Sequence, residues 1–194
     1  MRLLNDRLNT YPVSHELPFL SDNNLPPERD VSREKPKVGV FICTCAGTLA
    51  KDINKVEVLD LKALAHSASH WPGVVSSQIL ETACFPEDLQ AIKDKIHEMG
   101  LNRVVIAACS NRTHDSLFQR TLRQSGLNPY LLELVNLREQ CSKVHNAQPD
   151  IANRKALELV RVAVGRISAA KPVHKDKHRC RPSALLIGGG AAGM

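Results

Sequence analysis

The stretch RVVIAACSNRTH, residues 103–114, constrains the fold of this chain more than any other. Its residues 104–108 form a short, uninterrupted apolar run, which is typical of a strand buried on both faces of a parallel sheet. Cys109 follows directly, Ser110 is a residue type that favours a helix start, and segment 113–124 has apolar residues at helical spacing. Cys109 is therefore predicted at a strand-to-helix connection, on the edge where open α/β sheets bind ligands.

The same order of strand and then helix recurs along the chain. Apolar runs predict further strands, and amphipathic runs bounded by proline or glycine predict further helices. The predicted strands cover residues 38–42, 74–80, 104–108 and 128–134, and the predicted helices cover residues 59–70, 86–100, 113–124 and 151–170. Parallel strands need crossover connections, which these helices supply. The sequence thus predicts an α/β fold with a doubly wound, mainly parallel sheet of the Rossmann-like type.

Composition divides the chain into four parts. Residues 1–36 combine several prolines with polar residues and are predicted to form an extended arm without regular structure. Residues 37–147 contain the four predicted strands and are predicted to form one α/β domain. Residues 148–182 form an amphipathic helix and a basic linker, and residues 183–194 begin a second, nucleotide-binding fold.

The cysteines are the strongest indication of chemistry. Five of the six follow predicted strands: Cys43 and Cys45 follow the first, and Cys84, Cys109 and Cys141 follow the other three. Since parallel strands end at one edge of a sheet, these thiols are expected to converge there, where four thiolates would hold an iron–sulfur cluster. Zinc is the main inorganic alternative, and ordinary buried thiols are the simplest one.

Some neighbouring residues have two interpretations. Cys43 and Cys45 are separated by one residue at the end of the first predicted strand, and one of the two is expected to be spare. Arg112 and Arg138 either offset the negative charge of thiolates or form ordinary surface ion pairs. Cys180 lies in a basic, polar segment and is predicted to take no part in the site.

A glycine motif follows the basic linker. Residues 184–187 predict a buried strand, and Gly188, Gly190 and Gly193 then stand in G-x-G-x-x-G register. In a dinucleotide-binding fold such glycines make a tight turn and let the backbone approach a pyrophosphate. The sequence lacks the helix and the acidic residue that would complete the site, so this chain alone is not expected to hold a dinucleotide.

Charge and composition exclude several classes of function. The formal net charge is +6, but the basic residues are spread out, and one Trp, two Tyr and four Phe leave little for base stacking. Nucleic acid is therefore not an expected partner. The chain has neither an apolar run long enough to span a membrane nor the apolar centre of a secretory signal. We therefore expect a cytoplasmic protein, in which structural disulfides are disfavoured.

Three motifs carry a resemblance to a known family. They are VGVFICTCAG, AACSNRTHDSLFQRTLRQSGLNPYLLELVNLREQCSKVH and ALLIGGGAAGM, in that order. Over residues 37–194 the chain resembles the N-terminal portion of the heterodisulfide reductase A subunit and of related flavin-containing subunits of anaerobes. The resemblance implies an iron–sulfur domain, then a thioredoxin-reductase-like FAD domain that carries the glycine motif, and then ferredoxin-type clusters.

The resemblance also implies ligands and partners. The ligands that the resemblance implies for a [4Fe–4S] cluster are Cys45, Cys84, Cys109 and Cys141, with Cys43 as the substitute. Such subunits pass electrons between FAD and partner heterodisulfide-reductase-like subunits, with ferredoxin or hydrogenase-type proteins as electron donors. A homodimer is a further expectation for the full-length form.

The resemblance has departures as well. Thr44 stands where many relatives have histidine, and Asn111 stands where they have proline. The chain lacks nearly all of the FAD domain, and some relatives carry selenocysteine near the glycine motif. Our hypothesis for the end at Met194 is a UGA codon read as a stop, which the downstream DNA sequence tests.

These observations lead to one main expectation and one alternative. We expect the chain to act as the electron-transfer module of a larger oxidoreductase and not to be catalytic by itself. The alternative is a scaffold, without a cluster or stabilised by zinc, that docks a redox partner.

Overall fold

The computed structural model describes residues 25–51, 56–174, 185 and 187–191. Cys180 and Gly193, which the sequence analysis singled out, lie outside the described residues. Within the described residues, no helix is both long enough and apolar enough to cross a membrane.

The structure has one sheet of four parallel strands with helices on both faces. The strands are β1 (Val38–Cys43), β2 (Val74–Leu80), β3 (Arg103–Ala108) and β4 (Leu132–Asn136). The helices are α1 (Leu61–Ser69), α2 (Pro86–Glu98), α3 (Asn111–Gln124) and α4 (Pro149–Ala169), and a π-helical turn (Arg138–Ser142) follows β4. The strand order is β2-β1-β3-β4 and every pairing is parallel. The predicted doubly wound, Rossmann-like sheet is confirmed.

The two faces of the sheet have separate apolar cores. Alternate residues of β1 point to opposite faces, so Val40 packs towards α1 and α4 whereas Phe41 packs towards α2 and α3. Both side chains are fully buried. Because the chain winds in opposite directions from β1 and from β3, the gap between the carboxyl ends of these strands is a topological switch point.

Local sequence explains where the helices begin. The side chain of Asp60 accepts a hydrogen bond from the Ala63 N–H at 2.9 Å and caps α1, while Ser110 caps α3 through the Arg112 N–H at 3.3 Å. Such caps satisfy backbone donors that have no partner within the helix. The predicted helix at Ser110 is therefore confirmed.

The predicted start of the fourth strand is wrong by four residues. Strand β4 begins at Leu132 and not at Asn128. The Asn128 side chain accepts a hydrogen bond from the Tyr130 N–H at 3.1 Å, which forms a local turn, and Pro129 between them has no N–H for a ladder. The apolar pattern includes this turn, so it predicts too early a start.

The segment before β1 packs on the amino-terminal edge of the sheet. Residues 25–36 contain no helix or strand, yet Val31 is fully buried and the Arg29 N–H donates to the Gly126 carbonyl at 2.7 Å. The Arg29 guanidinium also donates to the Leu101 carbonyl at 3.0 Å. These residues of the predicted arm are thus held by the domain itself.

We predict that Asn102→Ala lowers the free energy of unfolding by about 2 kcal/mol. The buried Asn102 side chain accepts from the Lys37 N–H at 2.7 Å and donates to the Glu34 carboxylate and the Lys35 carbonyl, both at 2.9 Å. Removing it leaves backbone groups at the start of β1 without partners. Urea unfolding measures the change, and Asn111→Ala, at an exposed position, is the control. Equal stabilities of the two variants would contradict the prediction.

The described residues of the glycine-motif segment, 185 and 187–191, do not join the sheet. Leu185 and Ile187 are 86% and 91% exposed, and neither they nor Gly188 and Gly190 lie in a strand or helix. This differs from the predicted buried strand, because an apolar strand is stable only when neighbouring strands pair with it. In the part of the chain that the structure describes, none pairs with residues 185 and 187. The role of the glycines stays a prediction.

Candidate functional site

Cysteines follow all four strands at the carboxyl edge of the sheet. Cys43 is the last residue of β1, and Cys109 follows β3 immediately. Cys84 lies in the connection after β2, and Cys141 lies in the π-helical turn after β4. These four and Cys45 are all free thiols. The predicted convergence on one edge of the sheet therefore follows from the topology.

The chain turns sharply after Cys43. Cys45 and Ala46 both adopt left-handed backbone conformations, with φ of 49° and 52°, which are unfavourable for residues with a Cβ. Hydrogen bonds hold this turn to the end of β2: Ala46 N–H and Thr44 Oγ1 both donate to the Glu81 carbonyl at 2.9 Å. The strand has thus ended before Cys45, and the two cysteine sulfurs lie together, 3.4 Å apart.

The Cys43 sulfur is surrounded by donors. It accepts from the backbone N–H groups of Cys45 at 3.2 Å and Ala83 at 3.3 Å, and it shares a hydrogen bond with the Cys45 sulfur in which either thiol can donate. The hydrogen bond from the Cys45 thiol, reinforced by these N–H groups, lowers the pKa of Cys43 from 9.0 to about 6 although burial opposes the change. The same thiol hydrogen bond, with burial and the Cys43 charge, raises the pKa of Cys45. One proton is therefore shared across a thiolate–thiol pair.

Cys84 and Cys109 lie within electrostatic reach of this pair. Burial raises the pKa of Cys84, and the charges of Cys43 and Cys109 raise it further. The charge of Cys109 likewise contributes to the raised pKa of Cys45. The positive charge of Arg138 opposes the increase in pKa at both Cys45 and Cys84, so Arg138 lies within electrostatic reach of these thiols. This favours the charge-offsetting role for Arg138, whereas Arg112 is exposed.

Cys141 has different surroundings from the other four cysteines. Its side chain is fully buried in the apolar core on the α1 and α4 face. Burial raises the pKa of Cys141 to about 11, and the charge of Lys155 partly offsets this. Cys45 packs against both apolar cores, so it contacts the core that holds Cys141 as well as the core that holds Cys43.

The donor chemistry of this edge fits a thiolate-bound metal group. The thiols of Cys43, Cys45, Cys84 and Cys109 influence one another, backbone N–H groups point at sulfur, and Arg138 supplies a positive charge. Iron–sulfur clusters and zinc both take four thiolates, and N–H donors stabilise such sulfurs. As the described residues are placed, no three of their Cys, His, Asp and Glu side chains form a site for a single metal ion.

Sequence reasoning missed two contributors to the site. The Ala83 N–H, which donates to Cys43, and the Glu81 carbonyl, which holds the turn after β1, act through the backbone. Backbone groups carry no residue-type signal. Only the short spacing between β2 and Cys84 indicates that this connection lies close to the end of β1.

We predict that the Cys43 thiolate makes the stability of the reduced, metal-free protein rise with pH between about pH 6 and pH 8. In this window Cys43 has lost its proton in the folded state but keeps it in the unfolded state, because the fold lowers its pKa from 9.0 to about 6. The unfolded chain then binds more protons, so the contribution of Cys43 is complete above pH 9 and is lost as the pH falls through 6, whereas the raised pKa values of Cys45, Cys84 and Cys141 oppose it as the pH approaches 9. Urea unfolding at several pH values should show a shallower rise for Cys43→Ser. If the wild type and Cys43→Ser showed the same pH dependence, the lowered pKa of Cys43 would be contradicted.

The fold and the site together define a cysteine-rich, Rossmann-like domain with its thiols at the ligand-binding edge. No protein-family model matches the chain. It is 39% identical over 167 residues to the A subunit of the H(2):CoB-CoM heterodisulfide,ferredoxin reductase of Methanothermobacter thermautotrophicus. The match covers 86% of this chain and 24% of that protein.

Two further relatives are also A subunits of heterodisulfide reductases. The iron-sulfur A subunit 2 of the CoB–CoM heterodisulfide reductase of Methanopyrus kandleri is 37% identical over 84% of this chain and 24% of its own. The iron-sulfur A subunit of the CoB–CoM heterodisulfide reductase of Methanocaldococcus jannaschii is 39% identical over 82% of this chain and 23% of its own. The chain is therefore a relative of the heterodisulfide reductase A subunit, as its motifs indicated, and it spans about a quarter of the length of these relatives.

Proposed function

We propose that this chain is an electron-transfer domain of a heterodisulfide-reductase-A-like oxidoreductase and that it holds a [4Fe–4S] cluster. One observation supports the proposal most strongly. Three different strand ends bring four cysteines within electrostatic reach of one another: Cys43, Cys45, Cys84 and Cys109. Two of the relatives are named iron-sulfur subunits, which supports the same chemistry.

The ligand set has three common members. Cys45, Cys84 and Cys109 belong to both versions of the proposal, and the fourth ligand is Cys141 or Cys43. The contact between the sulfurs of Cys43 and Cys45 supports Cys43, whereas the apolar surroundings of Cys141 require a local rearrangement before it can bind metal. The π-helical turn that holds Cys141 is a type of distortion often found at functional sites.

The surrounding residues would suit the site to one-electron transfer, which is the chemistry that a bound cluster supplies. The Ala83 and Cys45 N–H groups donate to sulfur, and such bonds favour the reduced, more negative state of a thiolate-ligated centre. Arg138 acts in the same direction through its positive charge. The half-buried position of Cys45 and Cys84 would leave the site close to the surface, where a partner can approach.

We also propose the wider setting of the domain. In the complete protein, Gly188, Gly190 and Gly193 would contact the pyrophosphate of FAD, and electrons would pass between FAD and this domain. The name of one relative includes a ferredoxin reductase activity and hydrogen, so ferredoxin and hydrogenase-type proteins are the proposed electron-transfer partners, together with other heterodisulfide-reductase-like subunits.

Anaerobic reconstitution with ferrous iron and sulfide tests the proposal. The protein should take up about four iron and four sulfide per chain and give an EPR signal after reduction with dithionite. Zinc is the second candidate because four thiolates also suit it. Uptake of a single zinc ion with no sulfide, or of no metal at all, would overturn the cluster proposal.

A further inference from the structure

Cys43 and Cys45 form a dithiol with a buried and an accessible member. Their sulfurs are 3.4 Å apart, and Cys43 is only 2% exposed, whereas Cys45 is half-buried. In the part of the chain that the structure describes, no other two sulfurs are within hydrogen-bonding distance. A disulfide bond needs the sulfurs at about 2 Å, so the pair must approach by little more than 1 Å.

The backbone keeps the pair together. The left-handed turn at Cys45 and Ala46 brings both side chains to the same side, and its hydrogen bonds to Glu81 fix it to the end of β2. Thr48 Oγ1 also donates to the Cys45 carbonyl at 2.6 Å. All of these hydrogen bonds join groups of the protein itself.

We propose that, in the metal-free protein, Cys43 and Cys45 act as a redox-active dithiol that exchanges with small disulfides and closes to a reversible Cys43–Cys45 disulfide. Cys45 is the residue that meets the small disulfide, and Cys43 is the residue that resolves the mixed disulfide. This activity does not require the cluster proposed above, and it would keep a metal-free site from irreversible oxidation.

The reaction balances as a two-electron exchange. The proton shared by the pair moves to Cys43, and the Cys45 thiolate attacks one sulfur of a disulfide RS–SR; the S–S bond of RS–SR breaks, and the first RS⁻ leaves and takes a proton from water. The Cys43 sulfur then attacks the Cys45 sulfur of the mixed disulfide, and the second RSH leaves with the one proton that the pair held. Two thiols of the protein are oxidised to one disulfide, and RS–SR is reduced to two RSH.

Oxidised glutathione is a suitable probe for the metal-free full chain under anaerobic conditions. Thiols are counted by maleimide labelling and mass spectrometry, and the linked residues are identified by peptide mapping. The wild type should lose two of its six thiols, retain no glutathione, and yield a peptide in which Cys43 is joined to Cys45. Dithiothreitol should restore both thiols.

Three variants separate the roles. Cys43→Ser should retain glutathione on Cys45, because the resolving thiol is missing, and Cys45→Ser should react at Cys43 at least tenfold more slowly than wild type reacts. Cys180→Ser removes a cysteine outside the proposed ligand set, so it is the matched control and should form the same disulfide as the wild type. Stable glutathione on the wild type at Cys45, or a disulfide that joins Cys43 or Cys45 to another cysteine, would overturn the proposal. Iron uptake is measured separately, so a protein that binds no cluster can still pass or fail this test.

Discussion

The double variant Cys84→Ser, Cys109→Ser is expected to retain less than a tenth of the iron and sulfide that the wild type takes up on anaerobic reconstitution. Both cysteines belong to every version of the proposed ligand set, and the loss of two thiolates leaves too few ligands for a [4Fe–4S] cluster. Iron and sulfide assays, with an EPR spectrum after reduction, measure the result. Both residues are only half-buried, so the folded state should survive the changes.

Single variants make the same experiment specific. Cys180→Ser is the control that should take up iron as the wild type does, since this cysteine is not in the proposed set. Cys43→Ser and Cys141→Ser identify the fourth ligand, because only one of them should lose the cluster. Normal iron and sulfide content in the double variant would contradict the electron-transfer proposal. Circular dichroism of each variant shows whether a loss of iron follows from unfolding.

Much of the architecture could be predicted from local patterns. Strand β2 has the predicted bounds, and β3 and α3 differ from prediction by one or two residues, because a buried strand and a capped amphipathic helix have strong signals in the sequence. Strictly alternating strands and helices leave few topologies other than a parallel sheet. The position of Cys109 at the carboxyl edge follows from these two facts alone.

The details of the site could not be predicted in the same way. Nothing in the residues C-T-C-A indicates a left-handed conformation at Cys45, because residues with a Cβ rarely adopt it and hydrogen bonds to a distant strand stabilise it here. The sequence therefore left open whether Cys43 and Cys45 would meet. The burial of Cys141 depends on how the π-helical turn packs against α4, which is a long-range property.

The contacts that residues 25–36 make with the rest of the domain could not be predicted from the sequence either. The predicted arm is polar and rich in proline, which is typical of segments without a core of their own. Val31 nevertheless inserts into the core on the α2 and α3 face, and Asn102 binds the backbone of this segment. A single apolar residue and a single amide make these contacts, and periodicity cannot identify single residues.

The stability of β1 governs both proposals, since this strand leads directly into Cys43. We predict that Phe41→Ala lowers the free energy of unfolding by about 3–5 kcal/mol, because it removes a fully buried ring and leaves a cavity among residues of α2 and β3. Urea unfolding of the reduced, metal-free protein should show a lower midpoint with an unchanged slope.

Phe85→Ala is the matched control for this change. The Phe85 ring is 59% exposed at the start of α2, so its removal should alter the free energy of unfolding by less than about 1 kcal/mol. Phe41→Leu should restore part of the stability, because leucine refills some of the cavity. If Phe41→Ala and Phe85→Ala proved equally stable, then β1 would not be held by the core on its α2 and α3 face, and the fixed geometry of the Cys43 and Cys45 pair would lose its support.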